Sequence, residues 1–208
     1  PQLVISDILM PEINGIELCT LIKSDIKTSH IPVILLTAVS SLESRLDALM
    51  GGADIYINKP FDIRHLIFQS YALLKGRKKL RERFQINFPF DFERSTESKV
   101  DNEFLENMYR LMNDNIYNEE FEMDTLCREL LISRAVFYQK VKTLTDHTPY
   151  ELLKSFRLKK ASELLVSEDL SVNEVFAMTV FKSRSHFSKL FKKKYQLSPQ
   201  DFSKRKSA

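Results

Sequence analysis

Leu3-Val4-Ile5-Ser6-Asp7-Ile8-Leu9-Met10-Pro11 decides the fold of the first part of the chain. The stretch is apolar apart from Ser6 and one acidic residue, and Gly15 follows closely. A Val/Ile/Leu run of this kind reads as a buried parallel strand, not a half-exposed one. In open α/β sheets the reactive groups sit at the carboxyl ends of such strands, and Asp7 sits at such an end. Two more strand ends follow. Val33-Ile34-Leu35-Leu36 runs into Thr37-Ala38, and Ile55-Tyr56-Ile57 runs into Asn58-Lys59-Pro60-Phe61. One carboxylate, one hydroxyl and one ammonium converge on one sheet edge. That set suits phosphoryl chemistry: Asp7 can attack phosphorus, and Lys59 and Thr37 can bind the phosphoryl oxygens.

The order Asp, Thr-Ala, Lys-Pro-Phe resembles the receiver domain of bacterial two-component response regulators. Asp7, Met10-Pro11, Gly15, Thr37-Ala38, the Gly52-Ala53-Asp54 turn, Tyr56 and Lys59-Pro60-Phe61 carry the resemblance. It implies that Asp7 is phosphorylated, that Thr37 and Lys59 sense the phosphoryl group, and that Tyr56 switches rotamer. It also implies a cis Lys59-Pro60 bond, which proline makes accessible. The chain departs from the family in one respect. A receiver begins with a strand ending in two adjacent acidic residues that hold Mg²⁺, whereas this sequence opens at Pro1 before what resembles the third strand. A C-terminal fragment is therefore expected. Its Mg²⁺ site would keep Asp7 and the backbone carbonyl of Leu9, with the remaining ligands missing.

The 208 residues suggest one or two domains. No apolar run approaches the ~18 residues needed to span a bilayer, and there is no signal peptide. No membrane contact by this segment is expected. Cys19 and Cys127 lack metal-ligand spacing and read as reduced, small core residues of a cytosolic protein. His30, His65, His147 and His186 are scattered, which argues against a metal cluster. Charge is uneven. From Asp101 to Thr125 there are eight acidic residues and one basic, whereas Leu126 to Ala208 holds seventeen basic and eight acidic. A basic final third suggests a polyanionic partner.

The expected organisation is an α/β segment over 1–75, an incomplete doubly wound receiver. A linker over 76–100 and an all-α domain over 101–208 follow. Gly15 to Lys23, Leu42 to Met50 and Ile63 to Leu74 are the helix candidates of the first part. The basic stretch Lys75 to Arg83 either extends the last helix or lies solvated. Asn87-Phe88-Pro89-Phe90-Asp91-Phe92 is too aromatic for a free linker and should dock on a surface, and Arg94 to Val100 reads as the hinge.

Beyond Asp101 the pattern is helical and repeats. Ser133-Arg134-Ala135-Val136-Phe137 resembles Ser183-Arg184-Ser185-His186-Phe187 at an offset of 183 − 133 = 50, and Thr148-Pro149 and Ser198-Pro199 keep it. Each copy reads as a helix-turn-helix. In the first, Met123 to Leu130 is a short helix, Ser133 caps the next, and Phe137, Val141 and Leu144 form its core face. Ala135, Tyr138, Gln139 and Lys142 fall opposite. In the second, Ser171-Val172-Asn173-Glu174 is a capping box. Phe187 and Phe191 face inward, and Ser185, Ser188, Lys189 and Lys192 face away. Such a polar face can reach base edges and phosphates in a major groove. A longer helix from Thr148 to about Ser167 joins the copies, with Leu152, Leu153, Phe156, Leu158, Ala161, Leu164 and Leu165 covering more than one face.

This double unit resembles the AraC-type DNA-binding domain through Arg157-Leu158, Ala161, Leu164-Leu165, Phe187, Phe191 and Ser198-Pro199. The resemblance implies double-stranded DNA as partner. The DNA-contacting residues would be Ala135, Tyr138, Gln139, Lys142, Arg184, Ser185, Ser188, Lys189 and Lys192. The family commonly has glycine at turns that here hold Leu131, Asp146, Val180 and Gln196, and Phe176 stands where it prefers a small residue. The combined order resembles the C-terminal end of hybrid two-component proteins of Bacteroidetes. The expected function is a phosphorylation-controlled, sequence-specific transcription regulator, not itself an enzyme. A histidine kinase domain in cis or trans would be its phosphodonor, and a homodimer stays open. A phospho-independent DNA-binding protein with a relic receiver is the alternative. An aspartyl-phosphate hydrolase is disfavoured, because that chemistry needs a second acid where Leu9 stands.

Overall fold

The computed structural model describes residues 1–38, 52–87, 98–167 and 170–204, with backbone alone for 79–87 and 167. The chain divides into two compact units. One comprises Pro1–Ile86, Phe92–Leu105 and Thr143–Asp146, and the other Asn87–Asp91, Glu106–Lys142 and His147–Ala208.

In the first unit β1 (Val4–Asp7), β2 (Val33–Thr37) and β3 (Ile55–Asn58) form a parallel sheet in the order β1-β2-β3. Val33, Ile34, Leu35 and Ile57 are buried, as the continuous apolar runs require. Helix α1 (Gly15–Ser24) crosses from β1 to β2. Asn14 starts it: its side chain accepts from Ile16 N at 3.0 Å and Glu17 N at 2.9 Å, and Glu17 returns to Asn14 N at 3.3 Å. This reciprocal box satisfies the free amides of the first turn. Gly15 is required at the next position. Its N–H donates to Ile8 O at 2.9 Å, and a Cβ there would lie 2.2 Å from the Asp7 carbonyl oxygen. The helix candidate Leu42 to Met50 lies outside the described residues, as does most of the aromatic segment Asn87 to Phe92. Helix α2 runs from Ile63 to Asn87, so the basic stretch Lys75 to Arg83 extends it past Leu74, the first of its two expected readings. The Lys/Arg/Leu-rich stretch is made of strong helix formers, and Gly76 alone costs too little to stop it.

Asp54 ties these elements together. It is 3% exposed, accepts from Val33 N at 2.7 Å, and pairs with Lys23 of α1 at 2.6 Å and Arg77 of α2 at 3.5 Å. Lys23 also donates to Ile31 O at 3.1 Å. A buried carboxylate of this kind is tolerated because both cations and an amide compensate it. The first unit also takes in the start of α3: Ser29 Oγ donates to Asp101 Oδ1 at 2.7 Å, with both residues buried.

The remaining elements are helical: α3 (Lys99–Asp114), α4 (Met123–Glu129), α5 (Arg134–Thr145), α6 (Pro149–Ser167), α7 (Val172–Met178), α8 (Arg184–Tyr195) and α9 (Pro199–Lys204). Phe104, Leu105, Met108 and Met112 make the buried stripe of α3. Thr148 caps α6 reciprocally: Thr148 N donates to Glu151 Oε2 at 2.7 Å and Glu151 N to Thr148 Oγ1 at 3.2 Å. All seven apolar residues assigned to this helix are buried. Around its second half Val175, Phe187 and Phe191 complete a core with Leu158, Ala161, Leu164 and Leu165. Phe176, large where a small residue was expected, packs its ring 5.9 Å from that of Phe187, and Phe202 stands edge-on to Phe191 at 5.3 Å.

The four turn positions that lack glycine are all left-handed: Leu131 at φ 55°, Asp146 at 61°, Val180 at 55° and Gln196 at 60°. Each places a Cβ against backbone at roughly 1–2 kcal/mol, with Asp the most tolerant. Glu12 at φ 68° is a fifth such residue, which the sequence pattern did not indicate. The Lys59-Pro60 peptide is cis.

Leu131 is 91% exposed, so Leu131→Gly loses no packing. Strain relief less glycine's unfolded-state entropy should raise stability by about 0.5–1 kcal/mol in urea unfolding; a loss would refute strain at this turn. Asp54→Ala leaves Lys23 and Arg77 without their carboxylate and should cost about 3 kcal/mol in the same measurement.

Candidate phosphoacceptor site and nucleic-acid interface

Parallel pairing sets the edge that carries Asp7. Asp7 aligns with Leu36 across β1 and β2, and Thr37 aligns with Asn58 across β2 and β3. Ile8 N donates to Leu36 O at 3.0 Å and Lys59 N to Thr37 O at 2.6 Å, so the ladder continues to the strand ends. Asp7, Thr37 and Lys59 therefore stand on one edge. The Lys59 ammonium donates directly to Asp7 Oδ2, and Leu9 N donates to Asp7 Oδ1 at 3.3 Å. The Lys59 hydrogen bond holds the Asp7 carboxyl below its ordinary value, aided by the Leu9 amide. Asp7 is thus an anion with a cation in place, able to act as an oxygen nucleophile. Thr37 ends β2 as a buried residue. Tyr56 packs against Cys19, Val33 and Leu35, and burial pushes its phenol up to about 12. Among the described residues no three His, Cys, Asp or Glu side chains are grouped for a metal ion. The two expected ligands, Asp7 and the Leu9 carbonyl, would supply two oxygens, fewer than the six of octahedral Mg²⁺.

The helix-turn-helix faces also separate as the period demands. Phe137, Val141 and Leu144 of α5 are buried, whereas Ala135, Gln139 and Lys142 are exposed and Tyr138 is half-buried. Lys140 breaks the simple picture: it is 1% exposed, so the polar face of α5 is narrower than its sequence suggests. On α8 Phe187 and Phe191 are buried, Arg184, Ser185, Lys189 and Lys192 are exposed, and Ser188 is half-buried. Ser183 caps α8 by accepting from His186 N at 3.4 Å.

Three contacts fasten α6 to the second helix-turn-helix. Arg157 Nη1 donates to Val180 O at 3.3 Å, which fixes the strained turn before α8. Lys194 Nζ donates to Ser155 O at 3.0 Å, and Ser162 Oγ donates to Tyr195 Oη at 3.1 Å. A cleft of about 700 Å³ opens between the two helix-turn-helix copies, lined among others by Arg134, Tyr138, Lys154, Lys182 and His186. Arg134 and Arg157 were not singled out by sequence as functional side chains. The repeat held a signal for the first, since Arg134 occupies the place of Arg184.

Among the described residues no helix is long and apolar enough to cross a membrane. The family model for the response regulator receiver domain matches residues 1–69, and that for a helix-turn-helix domain matches residues 126–205. The chain is 38% identical over 207 residues, its whole length, to the histidine kinase P4 of Formosa agariphila, of which it covers 15%. It is 40% identical over 86 residues to the heme response regulator HssR of Staphylococcus epidermidis, covering 41% of this chain and 34% of that one. The solved C-terminal domain of the two-component response regulator yesN from Fusobacterium nucleatum superposes with a TM-score of 0.44 at 22% identity, over 48% of this chain and 96% of that one. The chain thus spans a small part of that kinase and about a third of HssR. The chain therefore carries a stretch similar to the response regulator receiver domain in its first part and one similar to a helix-turn-helix domain in its second.

Proposed function

We propose that the chain is the receiving and DNA-binding end of a phosphorylation-controlled transcription regulator, with a receiver over 1–75, a linker over 76–100 and the DNA-binding domain over 101–208. The observation that carries this reading is the Asp7–Lys59 pair at a parallel sheet edge, on the same polypeptide as a doubled helix-turn-helix. An Asp7 oxygen forms the bond to phosphorus while the bond from phosphorus to the imidazole nitrogen of a phosphohistidine donor breaks. The freed imidazole takes its proton from water. Lys59 then pairs with a phosphoryl oxygen, and Thr37 offers its hydroxyl to another. Tyr56, packed beside Thr37's strand, is the group whose rotamer reports the change. Bound Mg²⁺ would neutralise charge on the transferring phosphoryl group. The Asp7 carboxylate and the Leu9 carbonyl would be two of its ligands, and oxygens outside these residues would supply the rest. The donor is a histidine kinase domain in the same or another polypeptide. The chain itself performs no turnover, and its place is the cytoplasm.

The DNA-binding half presents Ala135, Tyr138, Gln139 and Lys142 on α5 and Arg184, Ser185, Ser188, Lys189 and Lys192 on α8. Helix α6 spans roughly 28 Å at ~1.5 Å per residue. That is comparable with the ~34 Å of one turn of duplex, so the two copies suit successive major grooves on one face.

In the full-length protein, acetyl phosphate should place an acid-labile phosphoryl group on the wild-type chain and none on Asp7→Asn. Persistent labelling of Asp7→Asn would remove Asp7 from its role. Duplex binding should weaken about 10³–10⁵-fold between ~50 and ~200 mM salt if ~6–10 phosphates are contacted. A flat salt titration would instead indicate a protein-binding module.

A further inference from the structure

The two helix-turn-helix copies differ at the first turn of their exposed helices. In the first copy Arg134 Nη1 lies 3.2 Å from Asp124 Oδ1, and its guanidinium stands over the Tyr138 ring at 5.5 Å from the centroid. Asp124 comes from α4, so one side chain of each helix of the motif grips the same arginine. Both ionic side chains are well exposed, at 63% for Arg134 and 59% for Asp124. An exposed pair of this kind adds at most ~1 kcal/mol to stability, so it contributes little to holding the fold.

The second copy lacks this arrangement. The first helices of the two motifs align at an offset of 49: the left-handed Leu131 matches Val180 (180 − 131 = 49), and the buried Leu126 matches Val175. Asp124 then corresponds to Asn173, which carries no charge, and across the offset of 50 Tyr138 corresponds to Ser188. Arg184, the counterpart of Arg134, is exposed, and among the described residues it has neither a carboxylate nor a ring to hold it.

We propose that Asp124, Arg134 and Tyr138 act as one array in which Arg134 reads a guanine in the first half-site and Asp124 and Tyr138 position it. This rests on the DNA-binding reading given above. Residues at the start of a recognition helix are those that reach base edges. Arginine's preferred base contact is the bidentate pair with guanine O6 and N7. A free arginine must give up much rotamer freedom to make that fork. Here Asp124 engages Nη1 from one side and Tyr138 covers the face, so the plane is restrained before DNA arrives. The Asp124 carboxylate also repels phosphate oxygens, which disfavours use of Arg134 as a simple backbone anchor. Arg184, with no such restraint, adds affinity without comparable selectivity.

Selection of preferred duplexes from random sequence, with affinity for random duplex measured in parallel, tests this on the full-length protein. The wild type should show an invariant guanine contributed by the first copy. Arg134→Lys keeps the charge and loses the fork. Its preference for that guanine should fall roughly 10-fold or more, with affinity for random duplex within about two-fold. Asp124→Asn should also lower the guanine preference, yet bind random duplex more tightly, because the repelling carboxylate is gone. Arg184→Ala should weaken binding while keeping the profile of the first half-site. Thermal unfolding of the four proteins should agree within a few degrees. If Arg134→Lys keeps the wild-type profile, Arg134 does not read a base. If Arg134→Lys loses the guanine while Asp124→Asn keeps it, Asp124 does not position Arg134 and the array is overturned. A wild type that binds no duplex at all would defeat the DNA-binding reading itself.

Discussion

In-register pairing of three parallel strands is the constraint on which the first half of this molecule depends. A parallel ladder aligns strand ends as well as strand bodies, so each residue just past the apolar run is delivered to the same edge. Asp7 beside Leu36, and Thr37 beside Asn58, are consequences of that register. A slip of one residue would turn every strand side chain to the other face. Gly15 locks the outcome from outside the sheet. The start of α1 passes so close to the Asp7 carbonyl that only a residue without Cβ fits. The carboxylate is therefore placed by backbone packing, and among the described residues its chemistry is set chiefly by Lys59.

The second half is organised around one helix. Short three-helix units bury little apolar surface by themselves, and α6 provides the shared wall. Leu152, Leu153 and Phe156 are buried in its first half, and Leu158, Ala161, Leu164 and Leu165 in its second. Apolar residues on more than one face mark a helix covered on more than one side. The polar contacts from Arg157, Ser155 and Ser162 then fix the second unit against that wall. The exposed faces of α5 and α8 are what remains once Phe137, Phe187 and their neighbours have been buried.

Much of this was legible in the sequence, for identifiable reasons. Strand ends could be read because apolar runs stop sharply at Asp7, Thr37 and Asn58. Caps could be read because Ser171 with Glu174, and Thr148 with Glu151, have a spacing fixed by the geometry of one helical turn. The left-handed positions could be read because the AraC-type pattern that the sequence resembles commonly carries glycine there. Other features were not legible. The length of α2 depends on helix propensity outweighing a glycine and a run of like charges. Burial of Lys140 runs against the usual surface preference of lysine, so residue type gave no sign of it. Asp54 gave no local hint that it would bind two cations and an amide, since Lys23, Val33 and Arg77 come from three different elements. The grip of Asp124 on Arg134 likewise joins residues ten apart across a turn, a distance that no helical period encodes.

The four left-handed turns without glycine bear on how such a domain can evolve. Each holds a residue whose replacement by glycine removes a steric conflict, a gain set against whatever contacts the side chain makes. Proteins seldom sit at their stability optimum, and reserves of this kind are open to random mutation. The genetic code makes them unequally accessible. Valine and aspartate codons lie a single base change from glycine, whereas leucine and glutamine codons need two. Val180, β-branched and one base change from glycine, is therefore where a laboratory lineage burdened by destabilising changes on its recognition helices would first look for compensation.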